Sequence, residues 1–297
     1  MMTAGAPAAG SGRVTRLALI WLALAAMMAA FRPIGTSAEE LVTFNSALYR
    51  PGHLQERLAR ERGETPKPPD RIEGYLSKPV GDGPFPAIVY LHGCGGLSEA
   101  TRNRVAQLLT GWGYVTLAVD SFSTRGIKDA CNRLPDRQGD ALGALSYLSR
   151  LGFVDPKRIA MVGSSQGGIV ALQLDSMDST LPARIFDIAE DLTFRAAVAY
   201  YPMCGVARDE LSIPTLIMIG ELDDWSPAGD CERLMKRRAG RGAPVDLIVY
   251  PGAYHAFDVP LLVGGRMMFG HWLRYDDDAA PRSVQAMHDF LAIQLSR

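Results

Sequence analysis

The run Arg158-Ile159-Ala160-Met161-Val162-Gly163-Ser164-Ser165-Gln166-Gly167-Gly168-Ile169-Val170 decides how this chain folds. Its first half is short, apolar and stopped by glycine, which suits a strand buried on both faces. A helix begins at about Gln166. Between the two lies Gly163-Ser164-Ser165-Gln166-Gly167, a G-x-S-x-G turn. A serine at the centre of such a strand-turn-helix junction sits on a tight bend with its hydroxyl exposed, and the flanking glycines keep Cβ atoms out of the bend. Ser165 is therefore the candidate nucleophile. Ser164 lacks that glycine spacing, and a serine that only caps a helix is the plain alternative.

Outward from this junction, strand and helix patterns alternate. Apolar or alternating runs at 71–78, 86–91, 114–119, 196–201, 215–220 and 245–250 read as strands. Helical spacing appears at 100–112, 139–151, 230–238 and 283–295. Strands separated by helices give a mostly parallel sheet, of about eight strands here, with helices on both faces. In such sheets chemistry gathers in the loops at the carboxyl ends of the strands.

A serine hydroxyl near neutral pH needs a base. Of five histidines, His53 lies in a polar N-terminal stretch, His92 precedes the nucleophile, His271 stands beside Trp272 and His288 falls within the last helix. His255 follows the last strand through Pro251-Gly252-Ala253-Tyr254, at the carboxyl edge of the sheet and after the nucleophile. That chain order, serine then acid then histidine, makes it the candidate base. A carboxylate must fix its tautomer. Gly220-Glu221-Leu222-Asp223-Asp224-Trp225-Ser226-Pro227 closes the preceding strand. Asp223 has the favoured spacing, Asp224 is the runner-up, and a solvated turn is the bland reading of both. Oxyanion donors are expected from the backbone N–H groups of Gln166, at the helix start, and of Cys94, in the glycine-rich turn His92-Gly93-Cys94-Gly95-Gly96.

These residues jointly resemble the dienelactone hydrolase family over roughly 70–295. The match comprises Leu91-His92-Gly93, Asp120-Ser121-Phe122, Gly163-x-Ser165-x-Gly167, Gly220-x-x-Asp223 with Pro227, and Tyr254-His255-Ala256-Phe257. The resemblance implies the α/β-hydrolase fold and a small hydrolase of esters or lactones that uses no cofactor and no metal. The namesake enzymes use a cysteine nucleophile and a glutamate near the oxyanion turn. This chain has Ser165 and His92-Gly93-Cys94 there, which argues against dienelactone itself as substrate. Arg125 lies close to where such enzymes place an arginine for a substrate carboxylate, so it is a candidate anion contact or else a surface residue. Phe122, Trp225 and Phe257 are candidates to line the site, with core packing as the plain alternative. About a dozen residues separate the strands at 196–201 and 215–220, which leaves no room for a large cap and favours small, soluble esters. The rival readings are a thioesterase or peptidase with the same triad, or a non-catalytic exported binding module.

The chain has 297 residues, is 47% hydrophobic and has a formal net charge of -1. That length supports one large core, and the charge argues against nucleic acid as a partner. Arg13 and Arg16, an apolar stretch from Leu17 to about Phe31, and small residues at Thr36-Ser37-Ala38 have the order of a secretory signal peptide. An uncleaved membrane anchor is the plain alternative, but the apolar part is shorter than the ~20 residues of a spanning helix. Residues 1–38 are therefore expected to be a signal, 39–70 an N-terminal extended segment and 71–297 the catalytic domain, with no stable membrane insertion once the signal is removed. In an exported chain the even number of cysteines, Cys94, Cys131, Cys204 and Cys231, reads as disulfides. All four follow carboxyl ends of strands. Neighbouring loops favour Cys94–Cys131 and Cys204–Cys231 among three connectivities, against buried free thiols as the alternative.

Overall fold

The computed structural model describes Met1, Met2, Gly5 and residues 39–65, 67–177 and 181–296. The apolar stretch and cleavage site of the expected signal lie outside the described residues, as does Pro66 of the segment 39–70.

The main sheet has eight strands: β1 (Glu40–Asn45), β2 (Arg71–Ser77), β3 (Phe85–Leu91), β4 (Val115–Asp120), β5 (Val154–Ser164), β6 (Ala197–Tyr200), β7 (Thr215–Gly220) and β8 (Val245–Tyr250). They lie in the order β1-β2-β4-β3-β5-β6-β7-β8. The pairs β1·β2 and β2·β4 are antiparallel, and every pair from β4 to β8 is parallel. The helices are α1 (His53–Glu61), α2 (Glu99–Gly111), α3 (Gln138–Leu148), α4 (Gln166–Asp175), α5 (Leu181–Ile185), α6 (Ala228–Arg238) and α7 (Ala279–Gln294). A short hairpin, β9 (Arg266–Met268) and β10 (His271–Leu273), precedes α7. This is the expected α/β-hydrolase architecture, without a large cap: a short 3-10 turn at Cys204–Val206 lies in the connection from β6 to β7.

The period of two in the strands sorts their side chains onto opposite faces of the sheet. Ile88 and Tyr90 of β3 enter one buried cluster with Val105 and Leu109 of α2 and Met287 and Leu291 of α7. Ala87, Val89 and Leu91 enter the other, with Leu142 and Leu145 of α3 and Val170 and Leu174 of α4. The carboxyl end of α4 is tied to β7 by Asp175. Its carboxylate accepts from the backbone N–H groups of Ser212 and Ile213 and from the Thr215 hydroxyl. Burial raises the Asp175 pKa, and those donors act against the shift.

The segment 39–70 is not simply extended. It begins with edge strand β1, whose Val42 and Phe44 are buried against β2 while Leu41, Thr43 and Asn45 face out, and it contains α1. Six residues with alternating polarity become a strand only when a partner lies beside them. That partner, β2, begins some two dozen residues further along the chain.

Two disulfides, Cys94–Cys131 and Cys204–Cys231, join loops at the carboxyl edge of the sheet. The second links the loop after β6 to α6. Replacing Cys204 and Cys231 together by alanine should lower the unfolding free energy by about 2–4 kcal/mol, chiefly by freeing the unfolded chain. Urea denaturation checks this, and an unchanged midpoint would show that the bridge does not constrain the chain.

Candidate active site

Ser165 stands between β5 and α4 with φ 53° and ψ -114°, a backbone conformation that costs energy in any residue with a Cβ. The surrounding contacts hold it there. Its N–H donates to Tyr200 O at 2.9 Å, and its carbonyl accepts from Ile169 N as the helix begins. The flanking glycines are required by space. A Cβ on Gly163 would lie 2.2 Å from the Gly167 carbonyl, and one on Gly167 would lie 1.9 Å from Leu91 O. β3, the turn and α4 therefore touch backbone to backbone. Ser164 is turned away: it is buried, and its hydroxyl is 3.2 Å from that of Tyr90.

His255 Nε2 lies 3.1 Å from Ser165 Oγ. Its Nδ1 lies 2.7 Å from Asp223 Oδ2, and both side chains are almost fully buried. The other Asp223 oxygen accepts from the backbone N–H groups of Trp225 and Ser226, which fixes the carboxylate. Asp224 points elsewhere, is largely exposed and stands 3.4 Å from His271 Nδ1. The geometry thus separates the two aspartates that spacing alone left open. The His255 ring is flanked by Tyr201 at 4.7 Å and Trp225 at 5.2 Å, centroid to centroid. The Tyr201 hydroxyl donates to Asp258 Oδ1, whose other oxygen accepts from Arg104.

The turn after β3 passes over the serine: a Cβ on Gly93 would be 3.5 Å from Ser165 Cβ. His92 is buried beneath this turn. Its Nε2 accepts from Ser121 N, and its Nδ1 stands 2.7 Å from Gly93 O. Burial, aided by the nearby Arg137 cation, pushes its pKa down to about 3. A neutral ring with the proton on Nδ1 satisfies both contacts. Gln166 opens α4, where the first N–H groups have no intrahelical acceptor. Its side-chain amide donates to Ala130 O and Arg133 O, both at 2.7 Å.

Three proposed substrate contacts are corrected. Arg125 is consumed internally. It forms a two-pronged pair with Asp140 at 2.7 and 2.8 Å, and it also donates to Asp70 and Ser121 O. A guanidinium so engaged has no free edge for a ligand. Phe122 is buried with its ring against His92 at 4.6 Å and the Arg137 guanidinium at 5.2 Å, so it supports the turn from below. Phe257 is fully buried among Tyr200, Tyr201 and Tyr250. Trp225 stands beside the His255 ring, partly exposed. It stacks on His271 at 4.9 Å and approaches the exposed Phe269 at 6.0 Å. His271 and Phe269 belong to the β9–β10 hairpin region, which sequence reading missed. Gly264-Gly265 and Gly270 were the available turn signals. Among the described residues, no group of three or more His, Cys, Asp or Glu side chains is placed to hold a metal ion.

Two outcomes follow from these contacts. Arg125→Ala strands the buried Asp140 carboxylate, so it should cost about 3–5 kcal/mol of stability. The surviving folded enzyme should keep its KM for a neutral ester, and a changed KM would return Arg125 to the substrate site. His92, held neutral down to about pH 3, makes the second outcome pH-dependent. Unfolded, the ring takes up a proton near its ordinary value of about 6.5. Its contribution to stability is therefore intact above about pH 6.5 and is lost progressively as pH falls toward 3. Unfolding free energies at pH 7, 5 and 4 should fall more steeply for the natural chain than for His92→Gln, and equal slopes would refute the assignment.

The profile of the dienelactone hydrolase family matches residues 72–295. A Methylorubrum extorquens protein named "putative carboxymethylenebutenolidase" is 25% identical over 199 residues, 63% of this chain and 68% of that one. A Bradyrhizobium protein named "probable 2-oxo-3-(5-oxofuran-2-ylidene)propanoate lactonase" is 27% identical over 203 residues, 62% of this chain and 77% of its own. Among solved structures, one titled a putative dienelactone hydrolase from Klebsiella pneumoniae superposes with a TM-score of 0.61 at 19% identity. It covers 86% of this chain and 99% of that chain, a likeness of fold. With its profile match running from β2 through α7, this chain belongs to the dienelactone hydrolase family.

Proposed function

We propose that the protein hydrolyses small carboxylic esters or lactones through a covalent acyl-enzyme on Ser165. As a member of its family it is a carboxylic ester hydrolase. The observation that carries the serine mechanism is the continuous relay from Ser165 Oγ through His255 to Asp223, at 3.1 and 2.7 Å. Asp223 accepts a hydrogen bond from Nδ1–H, which keeps that proton on Nδ1 and leaves Nε2 as the basic nitrogen facing the serine. Ser165 attacks the carbonyl carbon while Nε2 accepts its proton. The backbone N–H groups of Cys94 and Gln166 receive the oxyanion. The tetrahedral adduct collapses, and His255 returns the proton to the departing alkoxide. Water, deprotonated by the same nitrogen, then attacks the acyl carbon, and His255 returns that proton to Ser165 Oγ as the serine leaves and the acid is released. In a lactone the leaving alcohol stays tethered, and the product is a hydroxy acid.

Proton transfers by one histidine suffice for these steps, so the reading calls for no cofactor. The lactonase name of the Bradyrhizobium relative supports lactones as one substrate class. The short link between β6 and β7 supports a small substrate, and partly exposed Trp225 offers an apolar wall beside the base. The disulfides support export to an oxidising compartment. Among the described residues no helix is long and apolar enough to cross a membrane.

Ser165→Ala should abolish labelling by a fluorophosphonate and lower kcat on p-nitrophenyl acetate by several orders of magnitude. Asp223→Asn should lower kcat by about 10⁴, since it loses the carboxylate that sets the tautomer. Asp224→Asn, exposed and bound only to His271, should change kcat by less than about threefold. A folded Ser165→Ala enzyme with full activity, or a reversed ranking of the two aspartates, would overturn the mechanism.

A further inference from the structure

Arg137 is among the largest fully buried side chains of the protein, at 1% exposure, and it is a cation. Among the described residues no carboxylate stands within ion-pair distance of it: Asp140, three residues further along the chain, is held at both oxygens by Arg125. Its one acceptor among the described residues is the carbonyl of His92, which receives Nη1–H at 2.8 Å. Nε and Nη2 find no acceptor among the described residues. Phe122 presents its ring to the guanidinium at 5.2 Å. Burial lowers the pKa of Arg137, to about 10, which leaves it charged at neutral pH. Taking an ion out of water without a counter-ion costs several kcal/mol, so packing alone would be served better by an apolar residue.

The surroundings indicate what the charge serves. His92 O belongs to the peptide that leads into Gly93 and Cys94. The next turn of chain, 130–137, braces the same structure four times. Ala130 N donates to Cys94 O at 2.9 Å. Cys131 is bonded to Cys94. Ala130 O and Arg133 O accept from the Gln166 side chain. Arg137 closes the loop on His92 O. Both residues assigned as oxyanion donors, Cys94 and Gln166, are thus fastened to one segment. Arg137 and Gln166 also line a shared cavity of about 140 Å³, and Gln166 Oε1, like Arg137 Nε and Nη2, has no hydrogen-bond partner among the described residues.

We infer that Arg137 is the positioning residue of the oxyanion turn: it fixes the His92–Gly93 peptide so that Cys94 N–H faces Ser165, and its charge, which no carboxylate among the described residues pairs directly, favours the anionic adduct over the neutral substrate. The inference rests on the acyl-enzyme reading above. A fixed cation in a medium of low dielectric acts on charge that develops during reaction and is nearly indifferent to a neutral ester. The signature is therefore a loss in kcat and not in KM.

The test uses the full chain and three variants. Arg137→Lys keeps the charge, Arg137→Gln keeps a donor without the charge, and Arg137→Met keeps neither. Two probes separate positioning from folding. An aryl trifluoromethyl ketone adds to the serine to give an oxyanion, and the matching methyl ketone binds as the neutral carbonyl. Arg137→Met and Arg137→Gln should lower kcat on p-nitrophenyl acetate and trifluoromethyl ketone affinity at least tenfold. KM and methyl ketone affinity should stay within twofold. Arg137→Lys should recover at least a third of the lost kcat. If Arg137→Met does not fold, the Lys and Gln pair decides. Equal trifluoromethyl ketone affinities in these two and the natural enzyme would overturn the inference, as would equal losses for both ketones. Failure of the acyl-enzyme reading shows separately: Ser165→Ala would remain active and the natural enzyme would resist fluorophosphonate.

Discussion

The contact on which the site depends is the one between Gly167 and the carbonyl of Leu91, where a single added Cβ would lie 1.9 Å from the oxygen. It sets how closely α4 approaches the end of β3. Because β3 and β5 are parallel neighbours, their carboxyl ends emerge side by side. The turn leaving β3 then has to pass over the turn leaving β5. The proposed nucleophile on one and the proposed oxyanion donor on the other become neighbours through backbone packing. The strain at Ser165, φ 53°, is held by the same packing and by the hydrogen bond to Tyr200 O.

The remaining parts are brought in by polar and covalent links at one edge of the sheet. Two neighbouring N–H groups hold the Asp223 carboxylate, and the loop carrying His255 is anchored by a bridge to Leu273. The imidazole is packed against the rings of Tyr201 and Trp225, which restrict its rotation away from the serine. Cys94–Cys131 and Cys204–Cys231 fasten loops that would otherwise be the most mobile part of a parallel sheet. Arg125 serves the same end. Its pairing with Asp140 of α3 and with Asp70, next to β2, joins the N-terminal strands to the helix that covers them.

Charge is spent unevenly around this site. Arg125 is matched by two carboxylates, whereas Arg137 lies in the same region with a carbonyl and an aromatic face. Low dielectric magnifies that difference, because an unmatched buried charge acts over a longer range than a paired one. Beside His255 the surroundings are aromatic: Trp225 stacks on His271 and lies 6.0 Å from Phe269, centroid to centroid.

The sequence by itself determined the parts whose signals are local. Buried parallel strands appear as short apolar runs, helices by their spacing, and the proposed nucleophile by glycines that only a crowded bend requires. Chain order then singled out His255, among five histidines, as the one expected beside it. The cysteine pairing was legible because each pair lies in adjacent loops. Tertiary structure decided whatever depends on a partner distant in sequence. Edge strand β1 exists because β2 lies beside it. Asp223 was separated from Asp224 by which carboxylate reaches the imidazole. Arg125 proved to be an internal ion pair, and Phe122 and Phe257 proved to be buried supports, since a side chain's direction follows from packing and not from nearness in the chain to a motif. Arg137 carried no motif at all. Its place under the oxyanion turn arises only when residues 45 positions apart meet, and long-range contact of that kind leaves no periodic trace in the sequence.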